Sequence, residues 1–283
     1  MDRKAIVAFL SLLAVSCGNR NTLVVGSKNF TEQVLLGEIL ARHIEQQLHV
    51  PVVRKLDLGG TMIAHEALTG GSLDLYPEYT GTALTEVLKR PLARDASAVL
   101  DSVRDAYHRQ WQLAWLAPFG FNNTFAMIVR RDAGVSTLSA AAQAHPWRLG
   151  MGYEFRQRPD GLDGLVKTYG LRLTGEPATM DLGLLYSALQ NRQVDLIAAN
   201  STDGLISALP VAVLDDDRHY FPPYQCAVVV RETALARYPS LRAVLEQLSG
   251  KISDATMRRL NYEVDGKHRP AAEVAEEFLR GLR

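Results

Sequence analysis

The chain alternates short apolar runs with longer segments whose apolar residues recur at helical spacing. Residues 23–25 form an apolar run that ends at Gly26-Ser27, and residues 31–47 then carry the periodicity of an amphipathic helix. Residues 50–56, 59–61 and 62–68 repeat this order as a strand, a turn and a helix that ends at Gly70-Gly71. Such alternation predicts an α/β architecture with a largely parallel sheet.

The rest of the chain follows the same order. We predict a strand at 73–76, a loop at 77–82 and a helix at 83–89. A second α/β unit begins near Leu116, with strands at 123–129, 147–150 and 194–199 and a helix at 160–169. Amphipathic helices are predicted at 232–249, 254–264 and 270–282. Because neither a flexible linker nor an internal repeat separates the halves, we expect two lobes joined by extended crossings, with the chain returning to the first lobe.

Composition excludes several classes of function. With 31 basic and 31 acidic residues the formal net charge is zero, so the basic surface that nucleic acid requires is missing. Hydrophobic residues make up 47% of the chain, as in an ordinary globular protein. Two cysteines cannot form a disulfide scaffold, and the 7 histidines lack metal-ligand spacing. We therefore predict no metal site and no cofactor.

The N-terminal segment differs from everything that follows it. Arg3 and Lys4 precede an apolar stretch over residues 5–15, which is too short to span a bilayer and is typical of an export signal over residues 1–17. Leu13-Ala14-Val15-Ser16-Cys17 resembles a bacterial lipobox, so Cys17 is the expected lipid attachment site of an extracytoplasmic, membrane-anchored lipoprotein in the periplasm or at the cell surface. The alternative is an ordinary cleaved signal with an incidental cysteine. Cys226 is expected to be a small buried residue.

Five loop motifs give the chain a family resemblance. In chain order they are Gly26-Ser27-Lys28-Asn29-Phe30-Thr31-Glu32-Gln33, Leu58-Gly59-Gly60-Thr61, Asp74-Leu75-Tyr76-Pro77-Glu78-Tyr79-Thr80-Gly81-Thr82, Thr202-Asp203-Gly204 and Phe221-Pro222-Pro223-Tyr224-Gln225. Together they resemble the substrate-binding proteins of osmoprotectant ABC importers, which bind glycine betaine, choline, proline betaine and related compounds. The similarity continues through Tyr153-Glu154-Phe155, Arg158-Pro159-Asp160-Gly161 and Leu260-Asn261. It covers nearly all of the mature chain.

The resemblance implies an α/β, two-lobed type II periplasmic-binding-protein fold with the ligand cleft between the lobes. After the signal peptide 1–17, we expect the first lobe to comprise 22–116 and 222–283 and the second lobe to comprise 117–221. The implied partners are a small quaternary-ammonium ligand and an ABC permease with its ATPase, with membrane attachment through the lipid anchor. A monomer without catalytic residues is expected.

In the family, tyrosines on different loops form a cage around the quaternary ammonium, which has no N–H group and is held against aromatic faces. Tyr79 and Tyr224 fall on matching positions here. Phe125 and Asn200 stand where relatives commonly have tyrosine; phenylalanine keeps a ring face, whereas asparagine does not. The resemblance therefore implies a cage of at most three walls, unless another aromatic such as Tyr153 contributes.

The carboxylate of a betaine needs a second set of contacts. Lys28, Thr82 and Arg158 match the family's anion-binding side, with Gln33 in the same motif as Lys28. Arginine can bind a carboxylate with two parallel hydrogen bonds. Asn200 could hydrogen-bond a polar substituent that simple betaines lack, which would favour a larger betaine.

Structural roles are open for several of these positions. Lys28 and Arg158 could equally be salt-bridge partners between the lobes. Asp203 is expected to cap the following helix, and Tyr76 is expected in the core. Gly59-Gly60 forms a turn whose amides could also face an anion.

Two other functions compete with the importer component, and one alternative concerns its ligand. An enzyme is disfavoured because the chain has no Gly-rich phosphate loop ending in Gly-Lys-Ser/Thr, no Gly-x-Ser-x-Gly motif and no metal-ligand cluster. A sensory binding protein on the same fold would present its closed lobes to a receptor. Within the favoured class, the alternative ligand is a larger trimethylammonium compound such as carnitine or an ergothioneine-like betaine.

Overall fold

The computed structural model describes residues 22–282. The predicted signal peptide 1–17, with Cys17, lies outside the described residues. Within residues 22–282, none of the helices is both long and apolar enough to cross a membrane.

Two five-stranded sheets organise the chain. The strands are β1 (Leu23–Gly26), β2 (Val52–Lys55), β3 (Leu75–Tyr79), β4 (Leu113–Trp115), β5 (Phe125–Arg130), β6 (Leu149–Met151), β7 (Ala178–Thr179), β8 (Leu196–Asn200), β9 (Val211–Val213) and β10 (Cys226–Arg231). The first sheet has the order β2-β1-β3-β10-β4 and the second the order β7-β6-β8-β5-β9. In the first, β10 is antiparallel to β3 and β4; in the second, β5 is antiparallel to β8 and β9. The remaining pairs are parallel.

Helices cover the two sheets. They are α1 (Thr31–Leu48), α2 (Thr61–Thr69), α3 (Thr80–Thr82), α4 (Ala96–Trp111), α5 (Leu138–Gln143), α6 (Tyr153–Gln157), α7 (Leu162–Tyr169), α8 (Leu185–Gln190), α9 (Glu232–Arg237), α10 (Leu241–Glu246), α11 (Asp254–Asp265) and α12 (Ala271–Gly281). A single π-helical turn, Ala83–Val87, continues α3. The periodicity of α1 places Leu35, Leu36, Ile39 and Leu40 in the core of the first sheet at 0% exposure. Burying each such side chain stabilises the fold by about 1.5–3 kcal/mol.

Two predicted elements were wrong in their extent. Residues 77–79 were expected in a loop, but they complete β3 by pairing with β10, where Val228 faces Pro77. Proline is tolerated there because β3 pairs with β1 only at Leu75, so the missing N–H of Pro77 is not needed on that side. The predicted helix 232–249 is two helices, α9 and α10, because Pro239 interrupts it.

The chain passes between the two sheets along paired segments. Leu116, Phe119 and Phe121 lie in the core of the first sheet, although a crossing was expected near Leu116. Asn122 pairs with Gln225 as an isolated antiparallel bridge, immediately before β5 begins in the second sheet. This packing favours a crossing several residues after Leu116. The lobe boundaries 22–116, 117–221 and 222–283 stay a prediction.

Candidate ligand-binding site

A cleft of about 760 Å³ lies between the two sheets. Its lining contains seven of the eight predicted ligand-binding residues, namely Lys28, Tyr79, Thr82, Phe125, Arg158, Asn200 and Tyr224. Gln33 is the eighth; it is fully buried, and its side-chain oxygen accepts a hydrogen bond from the backbone N–H of Lys28 at 3.2 Å. The cleft therefore brings together residues that are up to 196 positions apart, from Lys28 to Tyr224.

Aromatic rings from both sheets meet in this cleft. Tyr79 ends β3, and Tyr224 lies two residues before β10, which pairs with β3. Phe125 opens β5, and its ring lies 5.7 Å from that of Tyr224 at an interplanar angle of 75°. Asn200 is the direct cross-strand partner of Phe125. Phe125 and Asn200, which replace tyrosines of the family, thus stand side by side in the second sheet. We call the parts of the chain built on the first and the second sheet the first and the second lobe.

Three aromatic residues that the sequence did not predict as site residues also line the cleft, namely Phe30, Phe155 and Tyr186. Phe30 stacks on Tyr79, with ring centroids 6.2 Å apart and planes 22° from parallel. Phe155 meets Phe125 edge-to-face at 4.9 Å. Tyr153, the possible additional wall of the cage, also lines the cleft. Its ring is 61% exposed, so it does not supply the buried aromatic face that is missing at Asn200. Both phenylalanines lie inside the quoted motifs, so their place in the motifs could have identified them from the sequence.

Lys28 forms a buried ion pair within the first lobe. Its Nζ donates to Oε1 of Glu78 at 2.7 Å and lies 4.8 Å from the centre of the Tyr79 ring. The Lys28 and Glu78 side chains are 4% and 0% exposed. Of the two roles left open for Lys28, the salt bridge is present, but both partners belong to the first lobe.

Arg158 is held mainly by the second lobe. Its Nε donates to Oδ1 of Asp160 at 2.8 Å, and its Nη2 donates to Oδ2 at 2.5 Å. Its Nη1 crosses the cleft to donate to the hydroxyl of Thr82 at 3.0 Å. The guanidinium carbon lies 5.1 Å from the centre of the Phe125 ring, and the Tyr224 hydroxyl donates to Asp160. Burial alone would raise the pKa of Asp160, but Arg158 lowers it below its ordinary value.

Glu154 occupies the anion site that the Gly59-Gly60 turn suggested. Its Oε1 accepts from the backbone N–H of Thr61, the first residue of α2, at 2.6 Å, and its Oε2 accepts from the Thr61 hydroxyl at 3.2 Å. A carboxylate is stabilised at a helix N-terminus by the helix dipole. Burial opposes ionisation of Glu154, but the charge of Lys28 and the Thr61 N–H lower its pKa. Glu154 thus joins the second lobe to α2 across the cleft.

Asp203 was predicted to cap the following helix, and this was wrong: its side chain makes no capping hydrogen bond to the turn Gly204–Ile206. Its Oδ2 instead accepts from the backbone N–H of Asn200 at 3.1 Å and from the Tyr186 hydroxyl at 3.0 Å. Burial raises the pKa of Asp203 to about 7, and the charges of Glu32 and Asp265 add to the increase.

We expect Asp203→Asn to stabilise the unliganded protein more at pH 8 than at pH 5. The folded-state pKa of Asp203 is raised from 3.8 to about 7, so the stability that its proton contributes is fully present below about pH 4 and is lost as pH rises through about 7. Asparagine keeps the acceptor oxygen and does not titrate. The difference in unfolding free energy between variant and wild type should grow by about 2 kcal/mol between the two pH values. Thermal unfolding at both pH values measures it, and a constant difference contradicts the prediction.

The two sheets with a ligand-sized cleft between them define the class of type II periplasmic binding proteins. The chain belongs to the family described as the substrate binding domain of ABC-type glycine betaine transport systems, whose model matches residues 21–281. The expected fold and family are confirmed. Such a domain binds and delivers a solute to a permease and is not a class of enzyme.

Individual relatives agree with this assignment. The glycine-betaine-binding protein of Pseudomonas aeruginosa is 35% identical over 98% of this chain and 93% of its own length. The ergothioneine transport permease/ergothioneine binding protein EgtU of Helicobacter pylori is 35% identical over 92% of this chain, which spans 47% of that longer protein. A crystal structure of a glycine betaine/carnitine/choline ABC transporter has a TM-score of 0.77 and 32% identity, with 92% of this chain and 98% of that chain covered.

Proposed function

We propose that this chain captures a quaternary-ammonium compound between Tyr79, Phe125 and Tyr224. The observation that carries the proposal is the convergence of rings from both sheets on one cleft. A trimethylammonium group cannot donate an N–H hydrogen bond, so stacked aromatic faces are the chemistry that recognises it, each contributing about 0.5–2 kcal/mol. Because the walls belong to different lobes, the cage is complete only when the lobes are together.

The charges around the cleft support a cationic ligand. Among the described residues that line it, two are basic, Lys28 and Arg158, and six are acidic: Glu32, Asp57, Glu154, Asp181, Asp203 and Asp265. Both basic side chains are already paired with carboxylates. The excess of negative charge favours entry of a cation from solution.

A ligand carboxylate would lie near Lys28, Thr82 and Arg158, at the border of the cage, because the Arg158 guanidinium carbon is 5.7 Å from the centre of the Tyr224 ring. Lys28 donates to Glu78 and Thr61, and Arg158 makes four donations, to Asp160, Thr82 and Thr85, so each side chain keeps one N–H for an additional acceptor. Gln33 supports Lys28 from behind through the backbone contact described above. The zwitterion of a betaine would present its ammonium to the rings and its carboxylate to these neighbouring N–H groups.

Glycine betaine and choline are the first ligands to consider, and larger betaines are the alternative. The names of the relatives include glycine betaine, carnitine, choline and ergothioneine. Asn200 leaves the cage without one aromatic wall, and the lining of the cleft also includes Asp181, Asp203 and Asp265. These carboxylates offer acceptors to a ligand that carries an N–H or O–H group besides its trimethylammonium.

We further propose that the protein is exported by its signal peptide, anchored through Cys17 as a monomeric lipoprotein in the periplasm or at the cell surface, and paired with an ABC permease and its ATPase. In the alternative, the closed lobes bind a sensory receptor and not a permease. Permease and ATPase genes beside this one would favour transport.

The test is thermal unfolding of residues 18–283 with glycine betaine, choline, proline betaine, carnitine, ergothioneine and non-methylated amino acids. A ligand that binds only the folded state stabilises it by about 2.7 kcal/mol at one hundred times its Kd. We expect midpoint shifts confined to the trimethylated or dimethylated ammonium compounds. A panel without any shift would overturn the cage.

Replacing Asn200 with tyrosine is expected to tighten glycine betaine binding, because the new ring restores the missing wall beside Phe125. One additional aromatic contact of about 1 kcal/mol corresponds to a roughly fivefold lower Kd. Titration calorimetry measures it, with Asn200→Ala as the control that removes the amide without adding a ring. No gain from tyrosine would mean that position 200 does not face the ammonium.

A further inference from the structure

Glu32 is a buried carboxylate that lies inside the first loop motif but was not predicted as a site residue. It is the second residue of α1 and 3% exposed, and it lines the cleft. Its Oε1 accepts from the Tyr79 hydroxyl at 2.7 Å and from Nδ2 of Asn123 at 2.8 Å. Its Oε2 accepts from the Thr202 hydroxyl at 2.5 Å and from Nδ2 of Asn261 at 2.9 Å. Four donors thus converge on one carboxylate.

These partners come from both lobes. Tyr79 and Asn261 belong to β3 and α11 of the first lobe, whereas Thr202 follows β8 of the second lobe. Nδ2 of Asn261 also donates to the backbone carbonyl of Thr202 at 2.9 Å. The bond between Glu32 and Thr202 is therefore a direct, buried connection across the cleft.

The backbones approach closely at the same place. A Cβ atom on Gly204 would lie 2.3 Å from the backbone nitrogen of Tyr262 in α11, a distance at which one backbone has to move. Glycine at this position lets the Thr202-Asp203-Gly204 turn reach α11. The hydroxyl of Thr202 is brought to Glu32 by this approach.

The energetics of Glu32 depend on closure. Burial raises the pKa of Glu32 above its ordinary value, although its four hydrogen bonds lower it. An ionised carboxylate that loses water is costly unless donors replace the water, and losing one buried partner costs about 1–3 kcal/mol. The set of donors is complete only while the second lobe supplies Thr202. A cation in the cleft also offsets the buried negative charge, so it favours the closed arrangement.

We propose that Glu32 is a positioning residue that couples ligand capture to lobe closure, by joining the cage residue Tyr79 to Thr202 of the opposite lobe. The proposal rests on the function proposed above. The Tyr79 ring contacts the ligand, its hydroxyl is oriented by Glu32, and the same carboxylate holds the second lobe. Opening the cleft breaks the bond to Thr202, so this bond slows ligand release and has little influence on ligand entry.

A double-mutant cycle with Glu32→Gln and Thr202→Val tests the coupling, with glycine betaine as the probe. Stopped-flow fluorescence gives association and dissociation rate constants, and urea unfolding without ligand gives stability. Each single variant should raise the dissociation rate constant at least tenfold and change the association rate constant less than threefold. The double variant should dissociate no faster than about twice the worse single variant, because both changes remove the same bond.

Two matched controls separate loss of the bond between Glu32 and Thr202 from a general loss of stability. Thr202→Ser keeps the hydroxyl, and Glu38→Gln changes a carboxylate on the outer side of α1 that pairs with Arg42 and Arg54. Both should dissociate ligand at the wild-type rate. If Glu32→Gln does not fold, Thr202→Val compared with Thr202→Ser decides the question by itself.

Multiplicative effects of the two single changes on dissociation, or lower stability with unchanged dissociation, would overturn the coupling while leaving the binding function intact. Failure of the wild-type protein to bind glycine betaine or any other member of the ligand panel overturns the proposed function itself. The two failures are therefore distinguishable in one set of measurements.

Discussion

Tyr224→Ala is expected to weaken binding of the quaternary-ammonium ligand by up to about 30-fold. Its ring stands between the lobes, 5.7 Å from Phe125 of the second sheet, and lines the cleft. A desolvated aromatic contact with a cation contributes up to about 2 kcal/mol, which corresponds to this factor. Titration calorimetry with the compound that gives the largest thermal shift measures the loss.

The same substitution also removes core packing, so affinity and stability must be separated. Tyr224 is 2% exposed and packs in the core of the first sheet, where loss of a large aromatic side chain costs about 3–5 kcal/mol. Phe119→Ala is the matched control, because Phe119 belongs to that core at 1% exposure and is not among the residues that line the cleft. It should lose comparable stability and keep wild-type affinity.

Tyr224→Phe divides the ring from its hydroxyl. The variant keeps the aromatic face and loses the hydrogen bond that the hydroxyl donates to Asp160. We expect most of the affinity to remain. A folded Tyr224→Ala protein that binds as tightly as wild type would remove Tyr224 from the cage.

Local patterning was sufficient for the elements whose own sequence decides their structure. The period of α1 predicted its start at Thr31 and its end to within one residue of Leu48. The limits of β3 were missed because Pro77 disfavours a central strand, and only its neighbours reveal that the N–H is not needed there. Pairing between distant strands overrides the local preference.

The candidate site divides in the same way. The motifs predicted Tyr79, Phe125 and Tyr224, which the fold gathers in one cleft, since residue types in a motif carry information about aromatic chemistry. Glu32 was not predicted as a site residue. An acidic residue in the first turn of a helix is ordinarily solvated and stabilised by the helix dipole. The burial of Glu32 results from four donors at positions 79, 123, 202 and 261, which no local pattern brings together.

Asp203 illustrates the limit for a single side chain. Aspartate is a preferred N-cap residue, so Asp203, just before a helical turn, was predicted to cap it. The turn is short, and Tyr186 of α8 and the Asn200 N–H offer donors to the same oxygen. Competition between a local and a long-range partner is decided by packing, which sequence spacing does not contain.

Arg158→Met is expected to reduce the free energy of unfolding by about 3–5 kcal/mol, because it leaves the carboxylate of Asp160 buried without its cation. The Arg158 and Asp160 side chains are 3% and 0% exposed. Adding Asp160→Asn removes the stranded charge and keeps an acceptor for the hydroxyls of Thr85 and Tyr224. We expect the double variant to recover about 2 kcal/mol of the loss. Urea unfolding of the unliganded protein at pH 7 measures both.

The pair formed by Arg148 and Asp195 is the matched control. It has the same two parallel hydrogen bonds, at 2.7 and 2.8 Å, but the Arg148 side chain is 47% exposed. Water can replace the lost partner there, and Asp195 keeps the hydrogen bond from Nη2 of Arg130 at 3.1 Å, so Arg148→Met should cost no more than about 1 kcal/mol. Equal losses at the two pairs would show that burial of Asp160 is not what makes Arg158 important.

The pH dependence of the unfolding free energy is an independent test of the Arg158→Met prediction. Arg158 lowers the folded-state pKa of Asp160, so the wild-type pair contributes stability that is present above the ordinary pKa of aspartate and lost as pH falls through the folded-state value. Without Arg158, burial favours the neutral acid, and the deficit of Arg158→Met should shrink as pH falls from 7 towards 4. If the double variant also binds glycine betaine with wild-type affinity, Arg158 serves the second lobe as an ion-pair partner and the ligand carboxylate is held by Lys28 and Thr82.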